Sequence, residues 1–450
     1  MSSLVRNLAL AAVAVIALSP SAGAQLLGGG GLLPPVNLPL PSTGLPTNDL
    51  PVAGPLLQNI LSQPSAQQAI APTLDTVGGL TDAVAEAGAP TLLELRRLRL
   101  QELIRSNRTT IESDGNGLPV RRGIVALIDP DPLGLQRALG AGFRVTADDR
   151  NPELGIRIVS LAAPRGMSAK DGLKLLRKTA PELQADYDHL FEPAGGGLLP
   201  IGGALAAAQG LGAGPAIGMI DGGVASHPSL AGKSIEQSGF AGAPQPTGHG
   251  TAVASLLVGT QGPFRGAATG ARLFVADVYG GNRAAGSATA IVRALGWLSS
   301  RQPQVINISL VGPANKLVER AIQIVEARGI KVVAAVGNDG PAAPPQYPAS
   351  YAGVVAVTAV DANGRALPEA GKPTHLDFAA PGADMAAALP GNGYTRVRGT
   401  SFAAPLVAAR LLFAGSPATL AAEARPGKGR VGRGIVCGAC RIDPRILGAK

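Results

Sequence analysis

Four polar residues between positions 221 and 401 have the side chains and surroundings that acyl-transfer chemistry needs. Asp221 ends the apolar run AIGMID, His249 lies between glycines in TGHGTAVAS, and Asn338 follows the run KVVAAVG. Ser401 stands in the small and apolar stretch RGTSFAAP, where a helix is predicted to begin. A serine attacks a carbonyl group when a histidine takes its proton and a carboxylate orients that histidine. An amide side chain can stabilise the oxyanion that forms, so the four residues together predict an acyl-transfer site.

Each of these residues also has a simpler explanation when it is taken alone. Serine is favoured at the start of helices because its hydroxyl accepts hydrogen bonds from free backbone N–H groups, so Ser401 could be a helix cap. An aspartate at the end of a strand and a histidine among glycines are structural in most proteins. The occurrence of all four types at the ends of predicted strands and helices favours a catalytic site, and it leaves a capping role for Ser401 open.

The order of the motifs resembles that of one enzyme family. The segments MIDGGV, GHGTAVAS, AVGNDGP and GTSFAAP follow one another as the Asp, His, oxyanion-Asn and Ser motifs do in the subtilisin-like (subtilase) serine endopeptidases. The resemblance covers about residues 215–415. It implies a Ser-His-Asp triad of Asp221, His249 and Ser401, with Asn338 in the oxyanion hole, and peptide-bond hydrolysis as the activity.

The resemblance also implies a strand that binds the substrate, and it shows where the chain departs from the family. The phrase SLVGP resembles the family's substrate-binding strand, which here consists of Ser309, Leu310, Val311 and Gly312. Val311 occupies a position that is commonly glycine, so we expect a narrow cleft and a preference for small or medium apolar residues before the scissile bond. Gly222 replaces the usual Ser or Thr beside the aspartate. Such departures leave open a catalytically weak or inactive peptide-binding pseudoprotease, and an enzyme that ligates peptides or hydrolyses esters is a third alternative.

Strands and helices that alternate along residues 215–415 predict the fold that would position these residues. The runs AIGMID, ARLFVADVY, VINISL, IKVVAAVG and VVAVTAV are continuously apolar, as strands buried on both faces are. The segments ATAIVRALGWLSS and LVERAIQIVEARG are predicted helices. The predicted fold class is therefore α/β, a parallel sheet with helices on both faces, and the family resemblance implies that this sheet is subtilisin-like.

A smaller domain is predicted before the catalytic domain, at residues 122–193. Its order of strand, helix, strand, strand, helix, strand is that of a ferredoxin-like α+β domain. Residues 194–214 are rich in glycine and are predicted to be a linker. The family resemblance implies that residues 122–193 are an inhibitory prodomain, that the chain is a self-processing zymogen, and that the maturation site lies in this linker.

Three further segments are predicted at the N-terminus. Residues 1–24 have a charge at Arg6, an apolar run and a small-residue cleavage pattern, which predict a signal peptide and export to the periplasm or the medium. The apolar run of about eleven residues is shorter than a membrane-spanning helix, so no stable membrane span is expected. Residues 25–88 are a Pro/Gly-rich flexible arm, and residues 89–121 form an amphipathic helix and a connector.

Composition and cysteines limit the remaining functions. The net charge is +9, but the basic residues are not interleaved with aromatic ones, which make up only 3% of the chain, so no nucleic acid is expected as a partner. The expected partners are a peptide or protein substrate and the chain's own prodomain. Residues 416–450 form a basic tail whose CxxC cysteines, Cys437 and Cys440, are predicted to form a disulfide in an exported protein. No metal and no cofactor are predicted; calcium is compatible with the chain, but no loop has calcium-binding spacing.

Overall fold

A parallel sheet of seven strands carries the candidate residues at its carboxyl edge. The computed structural model describes residues 89–194, Ala206 and residues 214–449. The predicted signal peptide (1–24), the arm (25–88) and most of the linker (194–214) lie outside the described residues. The strands of the large sheet, in their spatial order, are β16 (Phe378–Pro381), β15 (Val355–Val360), β14 (Lys331–Ala335), β12 (Val305–Ile308), β7 (Ala216–Asp221), β11 (Arg272–Asp277) and β8 (Ile235–Gly239).

Helices pack against this sheet and complete the α/β architecture that the sequence predicts. The helices are α4 (Gly248–Val258), α5 (Ala288–Arg301), α6 (Lys316–Ala327), α7 (Thr400–Ala414) and the short α8 (Pro417–Ala421). Nearly every side chain of the central strands is buried, and their Val, Ile, Leu and Ala residues form one continuous core with α4 and α7. Short strands beside the sheet are β9 (Thr260–Gln261), β10 (Phe264–Arg265), β13 (Leu310–Val311), β17 (Met385–Ala388) and β18 (Tyr394–Val397).

An antiparallel sheet with two helices precedes this domain. Its strands are β1 (Ile111–Ser113), β2 (Pro119–Ile128), β3 (Arg144–Asn151), β4 (Ile156–Ala162) and β5 (Gln184–His189), and its helices are α2 (Pro132–Gly140) and α3 (Ala169–Thr179). The order β5-β2-β4-β3 is the split βαβ arrangement. Ser168 caps α3 by accepting a hydrogen bond from the backbone N–H of Asp171. The sheet begins at β1, earlier than residue 122.

Helix α1 (Ala89–Ser106) lies before this sheet, and its buried face differs from the predicted one. The sequence pattern places Leu92, Leu95, Leu98, Leu103 and Ile104 on one packing face. Leu92 is buried and Leu103 and Ile104 are partly buried, but Leu95 and Leu98 are exposed, and Leu100, outside the predicted set, is buried. The reason is that the helix also turns arginines towards its neighbours, so its contact face mixes apolar and charged side chains.

The C-terminal tail packs along the edge of the large sheet. The backbone N–H of Val436 donates to the carbonyl of Ala379 in β16 at 2.8 Å. Cys437 and Cys440 form a disulfide, as the sequence predicts. None of the helices in the described part of the chain combines the length and hydropathy of a membrane-spanning helix.

Candidate active site

Asp221 and His249 form a buried pair at the carboxyl end of the large sheet. Asp221 is the last residue of β7, and His249 lies in the first turn of α4, whose N-cap is Thr247. His249 Nδ1 is 2.9 Å from both carboxylate oxygens of Asp221. Because a carboxylate only accepts hydrogen bonds, Nδ1 carries the proton and the lone pair of the neutral ring is on Nε2. Nε2 is buried and has no hydrogen-bond partner among the described residues, so it is available as a base.

Ser401 lies in the first turn of α7 and is not its cap. The N-cap is Gly399, with a φ of 137° that favours glycine, and no side chain caps this helix end. The Ser401 hydroxyl is buried and, within the described residues, has no hydrogen-bond partner. The capping role that the sequence left open therefore does not account for Ser401.

A proline in α7 explains how Ser401 is held in place. Pro405 has no N–H, so the carbonyl of Ser401, four residues earlier, loses its helical donor. The Ser309 hydroxyl replaces that donor and lies 2.9 Å from the Ser401 carbonyl oxygen. Asn307 in turn donates to the Ser309 hydroxyl at 3.0 Å. The predicted substrate-binding strand is thus tied directly to the backbone of the predicted nucleophile.

Asn338 follows β14 and is oriented by the residue before Ser401. The backbone N–H of Thr400 donates to Asn338 Oδ1 at 3.0 Å. This contact determines which end of the carboxamide is the oxygen and which is the nitrogen. The Asn338 Nδ2 group is buried without an acceptor among the described residues. A buried amide donor without an acceptor lowers the stability of the folded protein. Its presence is explained if it donates to an anionic group that forms during a reaction. Asn338 Nδ2 lies beside the start of α7, where the first backbone N–H groups also lack helical partners.

The end of the small N-terminal domain lies in the cleft next to these residues. Strand β6 (Glu192–Pro193) pairs antiparallel with β13, so that Glu192 lies opposite Val311 and Pro193 opposite Leu310. The next residue, Ala194, donates from its backbone N–H to the Ser309 carbonyl at 2.9 Å. The four predicted substrate-binding residues therefore contact a peptide strand, and that strand belongs to the chain itself.

Phe191 anchors the same strand, and sequence reasoning did not single it out. Its backbone N–H donates to Gly286 at 2.7 Å and its carbonyl accepts from the Tyr279 hydroxyl at 3.0 Å. Its ring is fully buried, and a Cβ added to Gly312 would lie 2.5 Å from it. A signal was present in the sequence, because Phe191 is an aromatic residue in a chain that has few.

Gln346 and Asp277 are two further residues near the site that sequence reasoning missed. Gln346 is buried beneath the Asn338 loop, where it donates to Asp339, and its amide oxygen would be 1.8 Å from a Cβ on Gly337. Asp277 lies opposite Asp221 in the neighbouring strand, and burial raises the pKa of its carboxyl although backbone N–H groups of Gln245, Tyr279 and Gly280 stabilise the anion. Neither has a local sequence signal, because their neighbours come from distant parts of the chain.

A metal site is not found in the described residues. Across 89–194, 206 and 214–449, no three His, Cys, Asp or Glu side chains are grouped so as to hold a metal ion.

Comparisons with known proteins agree with this architecture. A model of the subtilase family matches residues 212–417. Subtilisin Savinase of Lederbergia lenta is 34% identical over 202 residues, which are 44% of this chain and 74% of that protein. The alkaline protease of Alkalihalobacillus alcalophilus is also 34% identical over 202 residues, but the match spans only 53% of its length.

One solved structure extends the similarity in fold beyond the matched segment. The crystal structure of fervidolysin from Fervidobacterium pennivorans, a keratinolytic enzyme related to subtilisin, has a TM-score of 0.58 with this chain. The two are 18% identical, and the superposition covers 70% of this chain and 60% of fervidolysin. At that identity the likeness concerns the fold alone. The sequence matches supply the assignment: the chain belongs to the subtilase family of serine endopeptidases.

Proposed function

We propose that the chain is a self-processing serine endopeptidase that cuts peptide bonds through an acyl-enzyme on Ser401. The single observation that carries the proposal is the position of Ala194. Its backbone N–H donates a hydrogen bond to the carbonyl of Ser309, and the Ser309 hydroxyl donates a hydrogen bond to the carbonyl of Ser401. A peptide strand held in this way presents its next carbonyl group, that of Ala194, to the residues around Ser401.

The mechanism follows from the atoms around that carbonyl. The Ser401 hydroxyl oxygen bonds to the carbonyl carbon while its proton passes to His249 Nε2. The C–N bond then breaks, and the leaving amine takes the proton from Nε2, which leaves an ester on Ser401. A water molecule, deprotonated by His249, hydrolyses the ester and frees both the acid and the serine. Asp221 holds Nδ1 and stabilises the imidazolium that forms in each half of the reaction.

The oxyanion of each tetrahedral intermediate needs donors that are already in place. Asn338 Nδ2 is one, since Thr400 holds the other end of its carboxamide. The backbone N–H of Ser401, at the start of α7, is the other. Removing one such donor costs on the order of 3 kcal/mol of transition-state stabilisation, a magnitude measured on a subtilisin side-chain donor. These side-chain and backbone groups supply the nucleophile, base and donors, so the proposed reaction needs no cofactor.

The prodomain role of residues 122–193 belongs to the same proposal. Its last strand, β6, enters the cleft as a substrate would, by adding a strand to β13. The chain's own bond after Ala194 is then the bond that Ser401 cuts, and it falls at the start of the predicted linker 194–214. After the cut, the domain remains as an inhibitor because its tail still fills the cleft.

The tail also indicates the substrates that the cleft accepts. Ala194 is small, and Val311 and Gln346 fill the space beside Gly337, where an added Cβ would lie 3.3 Å from Val311 and 1.8 Å from Gln346. Phe191, three residues earlier, is fully buried. We therefore propose cleavage after small residues, with a large apolar residue three positions before them. A peptide library should give the best turnover for Ala or Gly at the first position, and efficient cleavage after Arg, Lys or Trp would contradict the proposal.

Export is part of the proposal on sequence grounds alone. Residues 1–24 have the signal-peptide pattern, and the disulfide of Cys437 and Cys440 suits an oxidising compartment. We propose a periplasmic or extracellular enzyme that acts on peptides or proteins and whose first partner is its own prodomain.

Labelling with a fluorophosphonate tests the catalytic proposal against a peptide-binding pseudoprotease. The processed wild-type protein should be labelled at Ser401, and the label should be blocked by excess peptide substrate. Ser401→Ala should remain unlabelled. Failure of the processed wild-type protein to label would favour the pseudoprotease. Product analysis with an added amine separates hydrolysis from ligation.

A further inference from the structure

Helix α1 reaches the cleft through charged side chains, and the prodomain role does not explain why. Arg96 Nε lies 3.0 Å from Asp339 Oδ2, and Arg99 Nη2 lies 3.0 Å from Asp339 Oδ1. Arg99 Nε also lies 3.3 Å from Glu192 Oε2. We call these four residues, Arg96, Arg99, Asp339 and Glu192, the arginine clamp.

The positions of the two acidic residues show which parts of the chain the clamp connects. Asp339 directly follows Asn338, the proposed oxyanion donor, and Glu192 lies two residues before Ala194, the proposed cleavage position. Arg99 therefore joins the tail of the prodomain to the loop that bears the oxyanion donor. This link does not depend on the peptide bond after Ala194, so it survives when that bond is cut.

The clamp is partly shielded from solvent, so its ion pairs contribute to the attachment of α1. The side chains of Asp339 and Glu192 are 7% and 10% exposed and that of Arg96 is 15% exposed, whereas that of Arg99 is 41% exposed and therefore open to salt. Burial lowers the pKa of Arg99, but the carboxylates of Glu192 and Asp339 outweigh it and raise that pKa overall. Partly buried, charge-assisted hydrogen bonds of this kind contribute more than exposed ion pairs do.

Apolar contacts seat the helix in the same place. Leu92 and Leu100 are buried, and a Cβ added to Gly340, the residue after Asp339, would lie 2.9 Å from Leu92. Leu95 and Leu98 are exposed, and nearer the end of the helix Leu103 and Ile104 pack against Ile111, Leu190 and Ala284. The charged contacts of α1 with the catalytic domain, and its contact through Leu92, are made at the loop beside the proposed oxyanion donor.

We propose that α1 is a second inhibitory element, whose arginine clamp retains the cut prodomain tail in the cleft and delays activation. The inference rests on the proposed self-processing. Cutting after Ala194 and gaining activity are then two separate steps, and the clamp controls the second. Release requires the two arginines to leave the carboxylates, so it is favoured by salt, which screens the pairs.

The test follows both steps in the full chain. Cleavage is read from the appearance of the shortened chain on a gel, and activity from a fluorogenic peptide. The double variant Arg96→Gln/Arg99→Gln is compared with Arg97→Gln, since Arg97 is on the same helix but is exposed and pairs with Glu94. Arg99→Gln alone serves as a milder variant, and cleavage itself shows that each variant has folded.

The delay between cleavage and activity decides the outcome. In the double variant it should shorten about tenfold or more relative to the Arg97→Gln control, the size expected from losing charge-assisted hydrogen bonds. Added salt should shorten the delay of the wild type but not that of the double variant. Equal delays in the double variant and the control, with cleavage intact, would overturn the clamp alone. A wild type that is never cut would overturn the self-processing proposal and the clamp with it.

Discussion

Gly222, next to the proposed triad aspartate, shows how a departure from the family pattern is accommodated by its neighbours. A Cβ at this position would lie 2.5 Å from the Thr247 hydroxyl oxygen and 2.6 Å from the Thr247 methyl carbon. Thr247 in turn caps α4, since its hydroxyl accepts from the backbone N–H of Gly250 at 3.0 Å. Glycine is therefore required here because threonine fills the space and fixes the helix that carries His249.

Restoring the family's usual residue at position 222 is therefore expected to be harmful. Gly222→Ser should displace Thr247, lower the free energy of unfolding by roughly 1–3 kcal/mol, and reduce kcat because His249 shifts. Thermal unfolding and turnover of a peptide substrate measure both effects. Gly270→Ser is the matched control, as a Cβ there meets no atom within 4 Å. Wild-type stability and activity in Gly222→Ser would contradict this account of the site.

Glu326 on α6 predicts a pH dependence of stability. Burial raises the pKa of its carboxyl to about 7, although Lys331 acts in the opposite direction. The folded protein therefore binds this proton more tightly than the unfolded chain does. Its contribution to stability is present at low pH and is lost as the pH rises from the ordinary glutamate pKa through about 7.

The corresponding variant is Glu326→Gln. Above pH 7 it should be more stable than the wild type, and the difference should shrink as the pH falls towards 5. Denaturant unfolding at several pH values measures this, and Glu319→Gln on the same helix controls for the change in net charge. A difference that does not vary with pH between Glu326→Gln and wild type would contradict the prediction.

Among elements, the interior strands could be predicted from the sequence and the edges could not. Strands β7, β12 and β14 are continuous apolar runs because both of their faces are buried. Strand β8, IEQSG, is polar, and β16, FAAP, ends in proline, so neither has that pattern. The buried face of α1 is set by Asp339, far away in the chain, which no local periodicity can indicate.

The site residues divide in the same way. Asp221, His249, Asn338 and Ser401 lie in local motifs, and the structure brings Asp221 to His249 and Asn338 to the turn that holds Ser401. The sequence also indicated the substrate-binding strand. Gln346 and the arginine clamp depend on contacts between distant segments, so only the folded chain reveals them.

The disulfide in the C-terminal tail, residues 416–450, is predicted to stabilise the fold. Cys437 and Cys440 close a short loop beside the residues that pair with β16. Because a short loop restricts the unfolded chain only modestly, Cys437→Ser should cost about 2 kcal/mol or less and lower the unfolding temperature by a few degrees. Turnover should be unchanged, and the double Cys→Ser variant should match the single one. Complete loss of activity in folded protein would instead indicate a redox or catalytic role.

At the scale of the whole molecule, the two domains and α1 meet at one cleft. The antiparallel domain supplies the strand β6, the parallel domain supplies β13 and the candidate catalytic residues, and α1 covers the junction. This arrangement is what a precursor requires if it is to be cut once and then held inactive. The maturation order that we propose is therefore cleavage after Ala194, release of α1 and the prodomain, and activity.

The most direct test of this account is the N-terminal sequence and intact mass of the chain produced in a protease-free system. The wild type should yield a mature chain that begins at Gly195, because the proposal assigns the bond after Ala194 to Ser401. The variant Ser401→Ala should stay uncut at this bond. Processing of Ser401→Ala at the same bond, or a wild-type chain cut elsewhere and never after Ala194, would contradict the central claim that this chain cleaves itself through Ser401.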